Sequence, residues 1–184
     1  MAKIRRNFDK NINLSAVASK NEMRPVLQMI KFKDGFVIAT DSEVLVKLKI
    51  NQISSFEEDE IKLLEGKMIH YKEFELLQKF DFVTIVGNGF LCRTSSGSKI
   101  LIEFDPMEGK YPNVDAVIPK DDIGLFPRCT VGLCISRISR LRKAMPSNRC
   151  VFEIRQPNIG VLLKPSDEEY NECLGLIMPY LVEI

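Results

Sequence analysis

The sequence has a single histidine, His70, and five cysteines, Cys92, Cys129, Cys134, Cys150 and Cys173, with no pair at Cys-x-x-Cys spacing. A zinc site draws on clustered Cys and His ligands, so this scatter argues against a metal centre. It fits small apolar side chains in a reducing cytosol. The opening stretch, MAKIRRNFDKNINL, has charges but no apolar core of a signal peptide. No stretch approaches the ~18 apolar residues of a membrane span. The expectation is a soluble, cytoplasmic protein with no membrane partner.

A further absence is local. From Ile123 to Phe152 there is no Asp or Glu, while Arg128, Arg137, Arg140, Arg142, Lys143 and Arg149 all fall inside. The whole chain has a formal net charge of only +1. It is therefore not a globally basic nucleic-acid binder, but a polyanion responds to the local field.

What is present is ordinary in bulk: 184 residues, 45% apolar and 28% charged. That length holds one domain, or one and a half to two small ones. The order of elements carries more. Residues 67–71 alternate as a short strand, and 72–80 place Phe74, Leu77 and Phe80 at helical spacing. Strands follow in 82–94, around the turn Gly87-Asn88-Gly89, and in 99–104. The same order, strand, helix and three strands, recurs later. Residues 129–133 are a strand and 134–145 a helix stopped by Pro146-Ser147-Asn148. Residues 150–156 and 159–165 flank Pro157-Asn158, and 174–182 are the last strand. The N-terminal part fits with 4–8 as a strand and 13–21 as a helix capped by Asn13. Two strands flank Asp34-Gly35 within 26–41, and 43–50 form a third. Residues 51–66 read as a polar, acidic connection. Three such units in series predict an α+β fold of antiparallel sheets with helices on one face.

On a helical wheel, Cys134, Ile138, Leu141 and Met145 share one face of 134–145. Ser136, Arg140 and Lys143 lie nearly opposite, with Arg137 and Arg142 at the borders. One side suits a sheet and the other a phosphate backbone. A solvated face, or an acidic partner, is the alternative, although solvated faces usually mix charge signs. Catalytic patterns are missing. Residues 94–99, TSSGSK, lack phosphate-loop spacing and lie between strands, and His70 has no nucleophile or acid at motif spacing. The expectation is a protein that is not an enzyme and uses no cofactor.

Residues 105–122, DPMEGKYPNVDAVIPKDD, resemble the segment between domains of the bacterial sliding clamp, the beta subunit of DNA polymerase III. The matching features are Gly109-Lys110, Tyr111-Pro112 and Val117-Ile118-Pro119. Ala39-Thr40-Asp41 resembles a clamp strand end, Ile177-Met178-Pro179 the clamp C-terminus, and residues 23–30 an early Arg-Pro-x-Leu segment. The resemblance covers residues 13–184, but this chain has three units where a clamp subunit has six. Residues 1–120 resemble one complete domain and 121–184 the second half of the last, about one and a half clamp domains. The usual Gly-His-Arg after Ala-Thr-Asp is Ser42-Glu43-Val44 here.

The resemblance implies a DNA clamp, or processivity-fold, architecture: a non-catalytic tether on double-stranded DNA. Its helices would present Arg137, Arg140, Lys143 and Arg142, with Lys72, Lys79 and Lys20, and Arg24 at a DNA-contacting family position. It also implies a pocket for peptides of DNA polymerases or repair proteins. That pocket would use Thr40, Ser42, Val44, Leu45, Pro119, Leu176, Met178, Pro179 and Tyr180, with Leu45 and Leu176 equally readable as core. The half-domain either closes on residues 1–120 without forming a ring or pairs with that of a second copy, and a homo-oligomer is the expectation. The alternative is a clamp-fold interaction module that does not encircle DNA.

Overall fold

The structure is a computed structural model that describes residues 7–94, 96–106, 110–119, 131–155 and 159–180. The first hairpin joins β1 (Met29–Lys33) to β2 (Phe36–Thr40). Asp34 and Gly35 both take positive φ, +53° and +74°. This is the backbone that a two-residue hairpin turn requires, and it explains the Asp-Gly pair. β3 (Val44–Lys49) follows, then two short helices, α1 (Ile50–Ile53) and α2 (Glu58–Lys62). The second unit runs through β4 (Met68–His70), α3 (Tyr71–Leu77), β5 (Phe82–Val86), β6 (Gly89–Arg93) and β7 (Lys99–Glu103). The third holds α4 (Ile135–Ala144), β8 (Cys150–Glu153), β9 (Val161–Pro165) and β10 (Leu174–Ile177).

The strands form two antiparallel sheets. One is seven-stranded, in the order β4-β1-β2-β3-β10-β9-β8, and the other is β5-β6-β7. The larger sheet spans all three units, because β10 adds to the edge of β3, pairing Val44 with Ile177 and Lys47 with Leu174. Alternation then sorts side chains by face. Val44, Val46 and Ile177 join the main core with Phe8, Phe32, Phe74 and Phe90, and the helices pack there. Leu45, Leu162 and Leu176 turn to the other face, under Tyr111 and Val114 of the segment that follows β7. None of the helices among the described residues is long and apolar enough to cross a membrane.

Three expectations need correction. Residues 13–21 form a single 3-10 turn, Leu14–Ala16, rather than a helix. Asn13 caps it as expected, but the Ser19 amide donates to the Leu27 carbonyl, which pulls the chain away from helical pairing. Residues 51–66 are not a plain connection. Ile53, Phe56 and Leu64 are buried, and Glu57 and Glu60 form a capping box for α2. The acidic surface of this stretch hid its apolar spacing. The last strand stops at Ile177, with only an isolated bridge from Tyr180 to Gly132 beyond it. Residues 4–6, 129–130, the Pro157-Asn158 turn, residues 181–182 and the boundary between Lys120 and Asp121 lie outside the described residues.

α4 holds the third unit to the first. Leu141, Ala144 and Met145 are buried against β3, β10 and the turn at Leu14–Ala16, and the Asn13 amide donates to the Lys143 carbonyl at 2.7 Å. Leu141→Ala should cost about 2–5 kcal/mol, since Leu141 is fully buried beside Gly175 of β10 and its removal leaves a cavity there. Urea denaturation checks this. A loss below about 1 kcal/mol would mean that α4 is only loosely docked.

Candidate functional site

The β2–β3 turn is the centre of the site. Asp41 Oδ1 accepts from the amides of Glu43 and Val44, at 2.9 and 3.0 Å, and Thr40 donates to the Val44 carbonyl at 2.8 Å. The wiring forces Ser42 to φ +81°. Glycine takes that region freely, which accounts for Gly in the clamp pattern at this position.

This turn answers the charge gap in α4. Arg137 closes its fork on Glu43, with Nη2 to Oε1 at 2.7 Å and Nε to Oε2 at 3.2 Å. Its Nη1 reaches the Met178 carbonyl at 2.9 Å, and the Met178 amide donates to the Glu43 carbonyl at 2.9 Å. The Glu43 hydrogen bonds raise the Arg137 pKa above its ordinary value. Arg140 pairs with Asp41, and its Nε is enclosed without an acceptor. The acids missing from the helix sequence are therefore supplied from about ninety-five positions away in the chain. Arg142 and Lys143 stay exposed, with no such partner among the described residues.

The other basic residues fall into two groups. Lys20, Arg24 and Arg140 line an open cleft of about 530 Å³ with Asp41 and Glu43. Arg24 donates to the Ser42 hydroxyl at 2.9 Å. Lys20 lies 3.1 Å over the Tyr71 ring, and its pKa is lowered, chiefly by desolvation and against the pull of Glu75. Lys72 and Lys79 are exposed at either end of α3, beside Glu73 and Glu75.

The opposite face of the sheet carries an apolar cavity of about 200 Å³. Thr40, Ser42, Val44, Leu45, Leu176 and Met178 line it, as expected from the sequence. Leu45 and Leu176 are almost fully buried and form its floor, so they are core and lining at once. Pro119, Pro179 and Tyr180 are not among its lining. The Pro119 carbonyl accepts from Arg155 instead, and Tyr180 bonds Gly132. The far wall is the segment that follows β7: Pro112, Val114 and Val117. Sequence reasoning missed these, although Val114 and Val117 share one side of the short turn Val114–Ala116. Leu27 and Glu43 complete the rim. Tyr111 anchors that wall, with its hydroxyl donating toward the Met29 and Ile38 carbonyls at 3.4 and 3.5 Å.

The remaining reactive groups have other roles. His70 caps α3, its Nδ1 accepting from the Lys72 amide at 3.3 Å. Burial pushes the thiols of Cys92 and Cys173 up to about 11, which keeps them protonated and poorly nucleophilic. Among the described residues no cluster of three His, Cys, Asp or Glu could hold a metal ion.

One ion pair ties the cavity wall to the sheet. Lys47 bonds Asp115 at 2.7 Å, and this bond holds the Asp115 pKa below the ordinary aspartate value. A depressed folded-state pKa adds stability above the unfolded value, and that stability is lost as pH falls through the folded one. Asp115→Asn should therefore lower the melting temperature at neutral pH by the equivalent of at most about 1 kcal/mol, because the pair is partly exposed. The gap from the unaltered protein should close in melts below about pH 3.9. A gap independent of pH would show that the carboxylate is not what matters.

No protein-family model matches the sequence, and comparison with curated proteins finds no match. Solved structures do match. The DNA polymerase III beta chain of Streptococcus pneumoniae superposes with a TM-score of 0.64 and 16% identity, over 94% of this chain and 61% of that one. The beta subunit from DNA polymerase of Streptococcus pyogenes gives 0.65 and 16%, over 94% and 63%. A sliding clamp from Bartonella birtlesii, bound to griselimycin, gives 0.59 and 18%, over 94% and 64%. The chain thus spans less than two thirds of the length of these clamps. At such identities the likeness concerns architecture, and the architecture is the α+β fold of the bacterial DNA sliding clamp in shortened form.

Proposed function

We propose that this protein is a non-catalytic, clamp-type tether that contacts double-stranded DNA on its helix face and takes a short apolar peptide of a polymerase or repair protein in its cavity. One observation supports this most: a single sheet carries an apolar cavity on one face and an acid-free helix on the other. The contact with DNA would be sequence-independent and through phosphates. Lys143 and Arg142 are its foremost groups, with Lys20, Arg24, Lys72 and Lys79 around them. Arg137 and Arg140 contribute only where Glu43 and Asp41 release them. Met178 and an apolar rim suit peptides of varied sequence.

The second reading, an interaction module that binds protein and not DNA, draws on those same ion pairs, which already neutralise two of the helix arginines. Fluorescence anisotropy with a labelled duplex across a salt series separates the two. The tether reading expects log affinity to fall linearly with log salt. Arg142→Glu with Lys143→Glu should flatten the slope by about 0.9 for each phosphate left without its cation. Glu43→Gln frees Arg137 and should strengthen binding. Absence of salt-dependent affinity, in the unaltered protein and in Glu43→Gln alike, would establish the interaction module.

A further inference from the structure

β7 and β8 end the two sheets, and both expose apolar side chains there: Ile100 and Leu101 at 40% each, Val151 at 54% and Phe152 at 43%. An exposed apolar edge is a template for another strand. The identity of that strand can be read from the ladders.

In an antiparallel pair, residues alternately turn their backbone groups toward one neighbour and then the other. The Phe104 amide bonds the Asn88 carbonyl, and the Thr94 amide bonds that of Ser98. With Gly89 opposite Glu103, Ile100 and Ile102 thus face β6, and Lys99, Leu101 and Glu103 turn their backbone groups outward. The side chains of these three point away from the core, since Ile102 is the buried one. On β8 the phase is opposite. The Ser166 amide bonds the Arg149 carbonyl, and Cys150 stands opposite Pro165, which has no amide to give. Cys150 and Phe152 therefore offer the outward backbone groups, and their side chains share the face of core residue Leu163. A β7–β8 pairing between copies would set the core face of one sheet against the outer face of the other. Each edge is compatible with itself.

The charges favour β7. Its sequence, Lys99-Ile100-Leu101-Ile102-Glu103, is complementary to its own reverse. Neither Lys99 nor Glu103 has an ion-pair partner among the described residues; Glu103 takes only the Asn88 amide group, at 3.4 Å. On β8, Arg149 is already paired with Asp167, and Glu153 with Arg155 and Lys164. We propose that two copies of this chain associate through β7, antiparallel about a two-fold axis at Leu101. Lys99 then lies opposite Glu103 of the second copy, and Ile100 opposite Ile102 of the second copy. The two small sheets become one six-stranded sheet. The groove of about 370 Å³ between α3 and β7, with Leu76 in its wall, receives the added side chains on the core face. The interface is isologous, so every contact occurs twice. It rests on the fold alone, and failure of DNA or peptide binding leaves it untouched.

Light scattering after size exclusion, over a concentration series of the full chain, tests it. A concentration-dependent dimer is expected. Lys99→Glu sets two glutamates face to face on each side of the axis and should raise the dimer Kd about tenfold or more. Adding Glu103→Lys in the same chain should restore it, which only a self-pairing strand allows. Leu101→Pro removes an outward amide without touching the β6 ladder, so it should give a folded monomer by circular dichroism. A monomer at every concentration overturns the proposal. So does a dimer indifferent to these changes, or a double exchange no tighter than Lys99→Glu.

Discussion

The pairing of β10 with β3 is the constraint on which the rest of the molecule depends. A helix and three strands cannot bury both faces of their own sheet. The third unit solves this by adding its last strand to an edge of the first unit, Val44 to Ile177 through Lys47 to Leu174. The seam has two products. On the core face it seats α4 over Val46 and Ile177, and on the outer face it sets Leu45 beside Leu176 as the floor of the cavity. The cavity and the basic helix are thus two sides of one backbone ladder.

The β2–β3 turn couples these sides. Glu43 stands on the rim of the cavity and also holds Arg137, which in turn binds the Met178 carbonyl. Asp41 organises the turn through Oδ1 and pairs with Arg140 through Oδ2. The departure from the clamp pattern, Ser42-Glu43-Val44 in place of Gly-His-Arg, removes an arginine and brings in a glutamate at this junction. It supplies a countercharge to a helix that has none of its own. The same departure forces a serine into a backbone region that glycine takes without strain.

Sheet edges are where this fold can take on further strands. The seven-stranded sheet ends at β4 and β8 and the small sheet at β5 and β7, and of these β7 and β8 expose large apolar side chains. The phase of the backbone bonds separates them. β7 offers its free amides on residues facing away from the core, and β8 on residues facing toward it. Small differences in ladder phase therefore decide which surfaces can extend a sheet and which are mismatched, whatever their hydrophobicity.

By itself the sequence determined the architecture. Asp34-Gly35 placed the first hairpin, because few residues accept its positive-φ backbone, and Gly87-Asn88-Gly89 placed the second. The period of Phe74 and Leu77, and of Leu141 and Met145, placed the two longer helices. The repeated order of elements, with the short matches at Ala39-Thr40-Asp41, Tyr111-Pro112 and Ile177-Met178-Pro179, pointed to the clamp fold and to six of the cavity residues. Residues 13–21 do not form a helix because a backbone hydrogen bond from the Ser19 amide to the Leu27 carbonyl outweighs local propensity. Only the tertiary structure could decide the charge state of the α4 face. Asp41 and Glu43 lie far from Arg137 and Arg140 in sequence, and nothing local in either segment records the other. Electrostatic pairing depends on distance in space, and that distance is set by the β3–β10 seam.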